Sequence, residues 1–474
     1  MDKKFGKSKK NGYTENKIKS KNIKITPSDV INMEDHKNKR CKCKKIIYIT
    51  QQDLPLVISK SLSKSRYYKV CEDLVFPHVG IPVTATNAIT SKINGVTIDF
   101  AGHTLTITDT TKTGVFFQNS VHVSVINGVI VNDPPAQDFD NDGTAIQFDG
   151  VQQGNVNNFT GKNNLDTVLV DNSRDIVVSN LYSDNAYGVN VFVRSNTIGF
   201  TFRDSTIRND SAFQVAISSV AVEQVVSPGE PNPIKNIIFE NLKLYNADIF
   251  IIAMGAILNN IISVIEDPDW PYSNFQVGTE PGDQGEGFVD PVGSDIIVSN
   301  SIFSNTFNTN PACSGAVICN SNNVTLDNVS LRCAATGISD PKLSGTTLAI
   351  GRPVRNLTVR NCTIDGLGNF GVVNAGWNLA SGPPDKGDFP NDGVVFENCT
   401  ISQSLINLFT MRNTNGVVLK NNKFLNSPGN AIVIQENVAG VALVDNVFLN
   451  IGGSKLIVDP GAVDVLKSGN VPNI

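Results

Sequence analysis

Asp149, Asp171 and Arg194 stand 22 and then 23 residues apart, each at the end of a short run of alternating apolar residues: "AIQFD", "VLVD" and "VNVFVR". Two carboxylates held side by side crowd one another and raise one pKa, which divides acid from base as glycoside hydrolysis requires. An arginine beside them would hold an anionic substrate. Intervals of this size are far too long for neighbours on a helix face or in a hairpin. The chemistry therefore demands an architecture that brings the chain back to one place every two dozen residues.

Other residues offer ligands to a metal or a sugar. "DFDNDG" places Asp138, Asp140 and Asp142 at positions one, three and five of a calcium-type loop, with Asp149 at position twelve. Asp149 falls in a strand and the flanking helices are missing, so an acidic turn is the alternative reading. Calcium is the one cofactor the sequence raises, and Glu280, Asp283, Glu286 and Asp290, among glycines, pose the same choice again. Trp270 and Trp377 lie in long insertions, where an indole either stacks on a sugar ring or caps an edge of the core. Cys41 and Cys43 supply two thiols, too few for a metal site without ligands from elsewhere.

A repeat supplies the positioning. "LTVRNCTI", "VVFENCTI" and "VVLKNNKF" each read as two alternating apolar residues, an Asn, then apolar residues on the opposite parity. Alternation marks a strand, and a change of parity marks a corner. The corner residues are Asn127, Asn158, Asn180, Asp204, Asn241, Asn300, Asn328, Asn361, Asn398, Asn421 and Asn446, about 22 to 25 residues apart where nothing is inserted. Asn tolerates the left-handed backbone of such a bend, and its amide both donates and accepts along a stack of its own kind. Three residues on, Ile130, Ile207, Leu244, Phe303, Leu331, Ile364, Ile401, Phe424 and Leu449 are expected to form one inward column. Between corners comes a third strand, including "FQVAIS" at Phe213, "GAVICN" at Gly315, "TTLAIG" at Thr346 and "NAIVIQ" at Asn430. Three strands per turn, stacked about 4.8 Å apart, give an all-β, three-sheet solenoid of about a dozen coils. Outside it, Asp327, Arg360, Glu397, Lys420 and Asp445 alternate in sign and are read as stacking charges, while Cys362 and Cys399 are read as small core residues.

These repeats, over residues 66–460, together with the opening segment "YYKVCEDLVF…AITSKINGVTIDFAGHTLTI", resemble the right-handed parallel β-helix superfamily of pectin-lyase-like fold. The resemblance implies that the Asn corner joins the second and third sheets and that ligands lie along the outer face of the first. Polygalacturonase-like hydrolases in that superfamily carry catalytic aspartates on this sheet, as Asp149 and Asp171 would be here. Their Gly-His pair and basic tripeptide have no counterpart, since the matching outward positions are Ser218, Asn320 and Gly351, and no His follows His122. "GRPVR" at Gly351 is similar to an arginine-proline element of pectate lyases, without its aspartate partners. Lyases, hydrolases, epimerases, tailspikes and adhesins share the fold, so the resemblance specifies architecture far better than activity.

Charge divides the chain. Of 39 Lys+Arg and 44 Asp+Glu, residues 1–71 hold 19 and 6, a surplus of +13 against −18 for the remainder. Residues 1–45 lack apolar periodicity and are expected to be a disordered basic tail, either simply solvated or contacting an anionic surface or a neighbouring subunit. No apolar run follows the first lysines, so no Sec-type signal is expected. The most apolar stretch, Ile249 to Ile265, is interrupted by Asn259 and Asn260 and is expected to be strand and not a membrane span.

The expected organisation is a tail over 1–45, a linker with the N-terminal cap and first-coil opening over 46–92, the β-helix over 93–460 and an end segment over 461–474. The Lys/Asn/Ile-rich start resembles proteins of large DNA viruses with AT-rich genomes. The function read from this is a rigid structural or surface protein that binds polysaccharide or glycan without catalysis, a virion component, with homotrimers as in tailspikes an open possibility. The alternative is a polysaccharide lyase or glycoside hydrolase using Asp149, Asp171 and Arg194.

Overall fold

A computed structural model describes residues 46–59, 66–77, 84–138, 143–210, 219–223, 234–267, 273–278, 294–308, 316–335, 346–351, 354–376 and 391–473. Within them the regular structure is β-strand, apart from one 3-10 turn at Gln51–Asp53. Every strand pairing is parallel, and each strand pairs with its counterpart one coil away, not with its sequence neighbour. That is the right-handed parallel β-helix: three sheets coiled about one apolar interior.

The first sheet runs in continuous register from Leu56–Ile58 through Ile146–Asp149, Val168–Asp171 and Val191–Arg194 to Leu456–Val458. The second and third sheets are often built by one long strand bent at the corner residue, as in Val121–Asn132, Gln152–Lys162 and Arg174–Asp184. Corner residues take left-handed φ, 57° at Asn127, 51° at Asn180 and 57° at Asn361. Their amides join coil to coil: Asn158 Nδ2 donates to Asn127 Oδ1 at 2.9 Å, Asn328 to Asn300 at 2.8 Å and Asn361 to Asp327 Oδ1 at 2.9 Å.

The interior follows from parity. Leu357 and Val359 are fully buried before the corner, and Cys362 and Ile364 after it. The expected inward column is buried from Ile130 through Phe424, and aromatic rings stack between coils, as Phe148 on Phe117 at 5.6 Å. Each fully buried Phe or Leu contributes about 1.5 to 3 kcal/mol relative to exposure. The Asp327–Arg360 and Glu397–Lys420 pairs close at 2.7 and 3.0 Å on the outer face.

Two expectations need correction near the C-terminal end. The corner one coil after Asn421 is Asp445, with φ of 54°, and not Asn446; the inward residue three further on is therefore Phe448, stacked on Phe424 at 5.2 Å, while Leu449 is exposed. Asp445 accordingly leaves the charged column, where Val444 pairs with Lys420. Asn446 instead points inward, and its Nδ2 donates to Leu419 O at 2.8 Å and to Asn470 Oδ1 at 3.0 Å. Its Oδ1 accepts the Asn422 amide at 2.9 Å, and Asn422 repeats the arrangement on Phe396 O and Cys399 N. This buried amide stack replaces the thiols of Cys362 and Cys399, which occupy the same place two coils and one coil before Asn422.

A third correction concerns the strand beside Val191–Arg194. It is Val220–Glu223, with Val220 opposite Val191 and Glu223 opposite Arg194. The "FQVAIS" run at Phe213 lies outside the described residues. Ile249 to Ile265 divides into Ile249–Ile251 on the first sheet and Met254–Ile265 on the second and third. Among the described residues no helix is long and apolar enough to cross a membrane.

Candidate functional site

On the outer face of the first sheet the register aligns Gln118, Asp149, Asp171 and Arg194 on four successive strands. The three residues singled out from spacing alone are thus brought together in one column. Their chemistry differs from a bare carboxylate pair. Arg194 Nε donates to Asp171 Oδ2 at 3.1 Å, and Gln118 Nε2 reaches Asp149 Oδ2 at 3.5 Å. Asp171 Oδ1 is buried and accepts no hydrogen bond, so the column holds an unused acceptor beside a neutralised charge. Arg194 also lies over the Phe192 ring, with Cζ 5.6 Å from its centroid.

Phe192 opens a feature that spacing did not reveal. A second outward column, two residues earlier on each strand, reads Phe116, Gln147, Leu169, Phe192, Ala221, Phe250 and Gln276. Leu169, Phe192, Ala221 and Val189 form a small buried cluster outside the main core, and Phe116 and Phe250 are half-buried. The signal was present in the parity of "VFVR", which points Phe192 to the same side as Arg194. The middle of the apolar column is thus covered, and the accessible rings beside the polar column are Phe116 and Phe250, an apolar and polar pairing of the kind that receives the C–H face and the hydroxyls of a sugar.

Asp166 was also passed over. It lies two residues ahead of the Val168–Asp171 strand and is 5% exposed. Val189 N–H donates to its Oδ1 at 2.9 Å, and Thr144 Oγ1 to its Oδ2 at 3.4 Å. Burial pushes its carboxyl up to about 6, against the opposing pull of the Val189 amide and the Arg194 charge. Its place behind the column makes it a support for the strand ends.

Of the remaining candidates, Asp138 is exposed, whereas Asp140, Asp142, Trp270 and Trp377 lie outside the described residues, as do Ser218, Arg352, Cys41, Cys43 and the acidic set at 280–290. Asn320 and Gly351 do sit against each other on the first sheet. A Cβ at Gly351 would fall 1.7 Å from Asn320 Oδ1, so any larger residue there would displace the Asn320 side chain. Cys319 is buried, and burial pushes its thiol up to about 12, which removes it as a nucleophile at neutral pH.

No family model matches the chain, and no curated protein matches its sequence. Solved structures do. The tailspike of E. coli bacteriophage HK620, a double mutant in complex with a pentasaccharide, aligns with a TM-score of 0.56 at 13% identity, covering 84% of this chain and 73% of that one. The catalytic domain of a GH87 alpha-1,3-glucanase in complex with tetrasaccharides gives 0.45 at 12% identity over 88% and 68%. The Azotobacter vinelandii mannuronan C-5 epimerase AlgE4 A-module gives 0.39 at 11% over 83% and 90%. At these identities the tailspike likeness speaks to architecture alone, and it agrees with the strand register: the chain is a right-handed parallel β-helix protein.

Proposed function

We propose that the outer face of the first sheet binds a polysaccharide or glycan and that the protein is a rigid, non-catalytic surface component, with the virion as its setting. The observation that carries this reading is the aligned column Asp149–Asp171–Arg194, with the half-buried rings of Phe116 and Phe250 in the outward column beside it. Arg194 neutralises Asp171, an arrangement suited to holding hydroxyls in place and ill suited to proton donation. The tailspike whose fold it shares was captured with a pentasaccharide. The basic segment 1–45 then serves as an attachment arm for an anionic surface or a neighbouring subunit, and the assembly is a homotrimer.

The adjacency of Asp149 and Asp171 is the specific observation favouring the hydrolase or lyase alternative. A panel of neutral, amino-sugar and uronide polysaccharides, assayed for retention and for newly formed reducing or unsaturated ends with and without calcium, separates the two. Retention without new ends supports the binding reading. Chain cleavage abolished by Asp171→Asn overturns it.

A further inference from the structure

At the corner where the first sheet passes into the second, most coils carry a residue with left-handed φ and a polar side chain: His122, Gln153, Asp175, Asn236, Asp295, Asn323 and Asn356. Neighbouring side chains bond along this row, as Asn356 Nδ2 to Asn323 Oδ1 at 2.9 Å and Asn323 to Asp295 at 3.0 Å. Over three consecutive coils the row becomes Gly393, Gly416 and Gly440, with φ of 71°, 61° and 68°, and it resumes at Asp464. The side chains stop while the backbone continues unchanged. Where they stop, a trough of about 390 Å³ opens, lined by Asn413, Asn415, Asn437, Ala439, Gly461 and Val463, with Val438 behind them.

The lining is uncharged. Its amides are also under-used: Asn437 Nδ2 donates to Asn413 Oδ1 at 2.9 Å, which leaves Asn413 Nδ2, Asn437 Oδ1 and the whole Asn415 amide without a partner among the described residues. Ala439 and Val463, adjacent in register, give a small apolar patch beside them. Paired donors and acceptors next to an apolar patch, with no ion in the lining, match a hydroxyl-rich uncharged ring and offer nothing to counter a carboxylate.

We propose that this trough is a second saccharide site, distinct from the Asp149–Arg194 column and selective for neutral sugars. It extends the glycan-binding reading but stands on different residues, so the two can fail separately. The glycine run provides the test, because Asn fits left-handed φ and already occupies this row. A Cβ at Gly440 meets its nearest neighbour, Gly416 N, at 3.6 Å, an ordinary contact.

The experiment is hydrogen exchange of the full chain with neutral hexasaccharides of glucose, galactose, mannose and N-acetylglucosamine, and with hexagalacturonate as the acidic probe. Protection of 413–415 and 437–440 by at least one neutral probe is expected, with none from hexagalacturonate. Gly440→Asn and Ala439→Arg, checked for an unchanged melting temperature, should each weaken that protection at least tenfold. Arg194→Met should leave it intact. Protection by hexagalacturonate alone, no protection by any neutral probe, or wild-type binding in the folded variants overturns the proposal. Loss through Arg194→Met would assign the effect to the first-sheet face instead.

Discussion

Arg194 Nε and Asp171 Oδ2 lie 3.1 Å apart although their residues are 23 positions apart in the chain, because one coil of the solenoid separates them. The Arg194 side chain is 43% exposed, so solvent screens the pair. A double-mutant cycle with Asp171→Asn and Arg194→Met should therefore give a coupling in folding stability below about 1 kcal/mol. In a glycan-retention assay the same single variants should each lose about tenfold, near 1.4 kcal/mol, since each removes a group presented to the ligand. A large stability loss with unchanged retention would make the column structural.

The aromatic column admits an independent check. Phe116 and Phe250 are half-buried on the outer face, outside the main core. Phe116→Ala and Phe250→Ala should lower glycan affinity about five- to tenfold, the scale of a lost aromatic contact of about 1 kcal/mol. Calorimetry should show melting temperatures displaced by far less than for Phe148→Ala, whose ring is fully buried.

Asp166 makes stability depend on pH in a direction opposite to most carboxylates. Its folded pKa is raised from 3.8 to about 6, so between those values the folded chain binds more protons than the unfolded one. Stability from this residue is complete below pH 4 and is lost as pH rises through 6, amounting to about 3 kcal/mol at neutrality. Asp166→Asn keeps an acceptor for Val189 N–H and should stabilise the protein at pH 7 by about 1 to 3 kcal/mol. Urea titrations at pH 4.5 and 7.5 should show the wild-type–variant difference shrinking at the lower pH.

The inward amide stack predicts the reverse response to substitution. Asn446→Leu removes a buried acceptor and two donated bonds, taking away the side-chain partner of Leu419 O and of the Asn422 backbone N–H, while Asn470 Oδ1 keeps the backbone N–H of residue 446. A loss of about 2 to 4 kcal/mol is expected. Asp445→Asn, one residue away and exposed at the corner, should be neutral. Equal effects at the two positions would contradict the assignment of Asp445 as the corner.

Much of this architecture could be read from alternation and period alone, and the errors share one physical source. "VDNVF" offers two adjacent residues able to bend, Asp445 and Asn446, and the bend shifts every later side chain by one position. Leu449 and Phe448 exchanged roles for that reason alone. "FQVAISSVAVE" offers two alternating windows of opposite parity, Phe213 to Ile217 and Val220 to Val222, and only the pairing with Val191 selects Val220. Asp149, Asp171 and Arg194 were legible because a register is a count of residues. The Asp171–Arg194 ion pair and the Asp166 burial were not, since they depend on side-chain rotation and on what packs against the strand ends.

The corner between the second and third sheets has a further consequence. Asn361, Asn398 and Asn421 occupy equivalent places with φ of 57°, 57° and 56°. Excising the chain between two such equivalents, or duplicating it, rejoins like to like. The molecule can therefore lengthen or shorten only in whole steps of about 4.8 Å, which makes it a ruler graduated by asparagine.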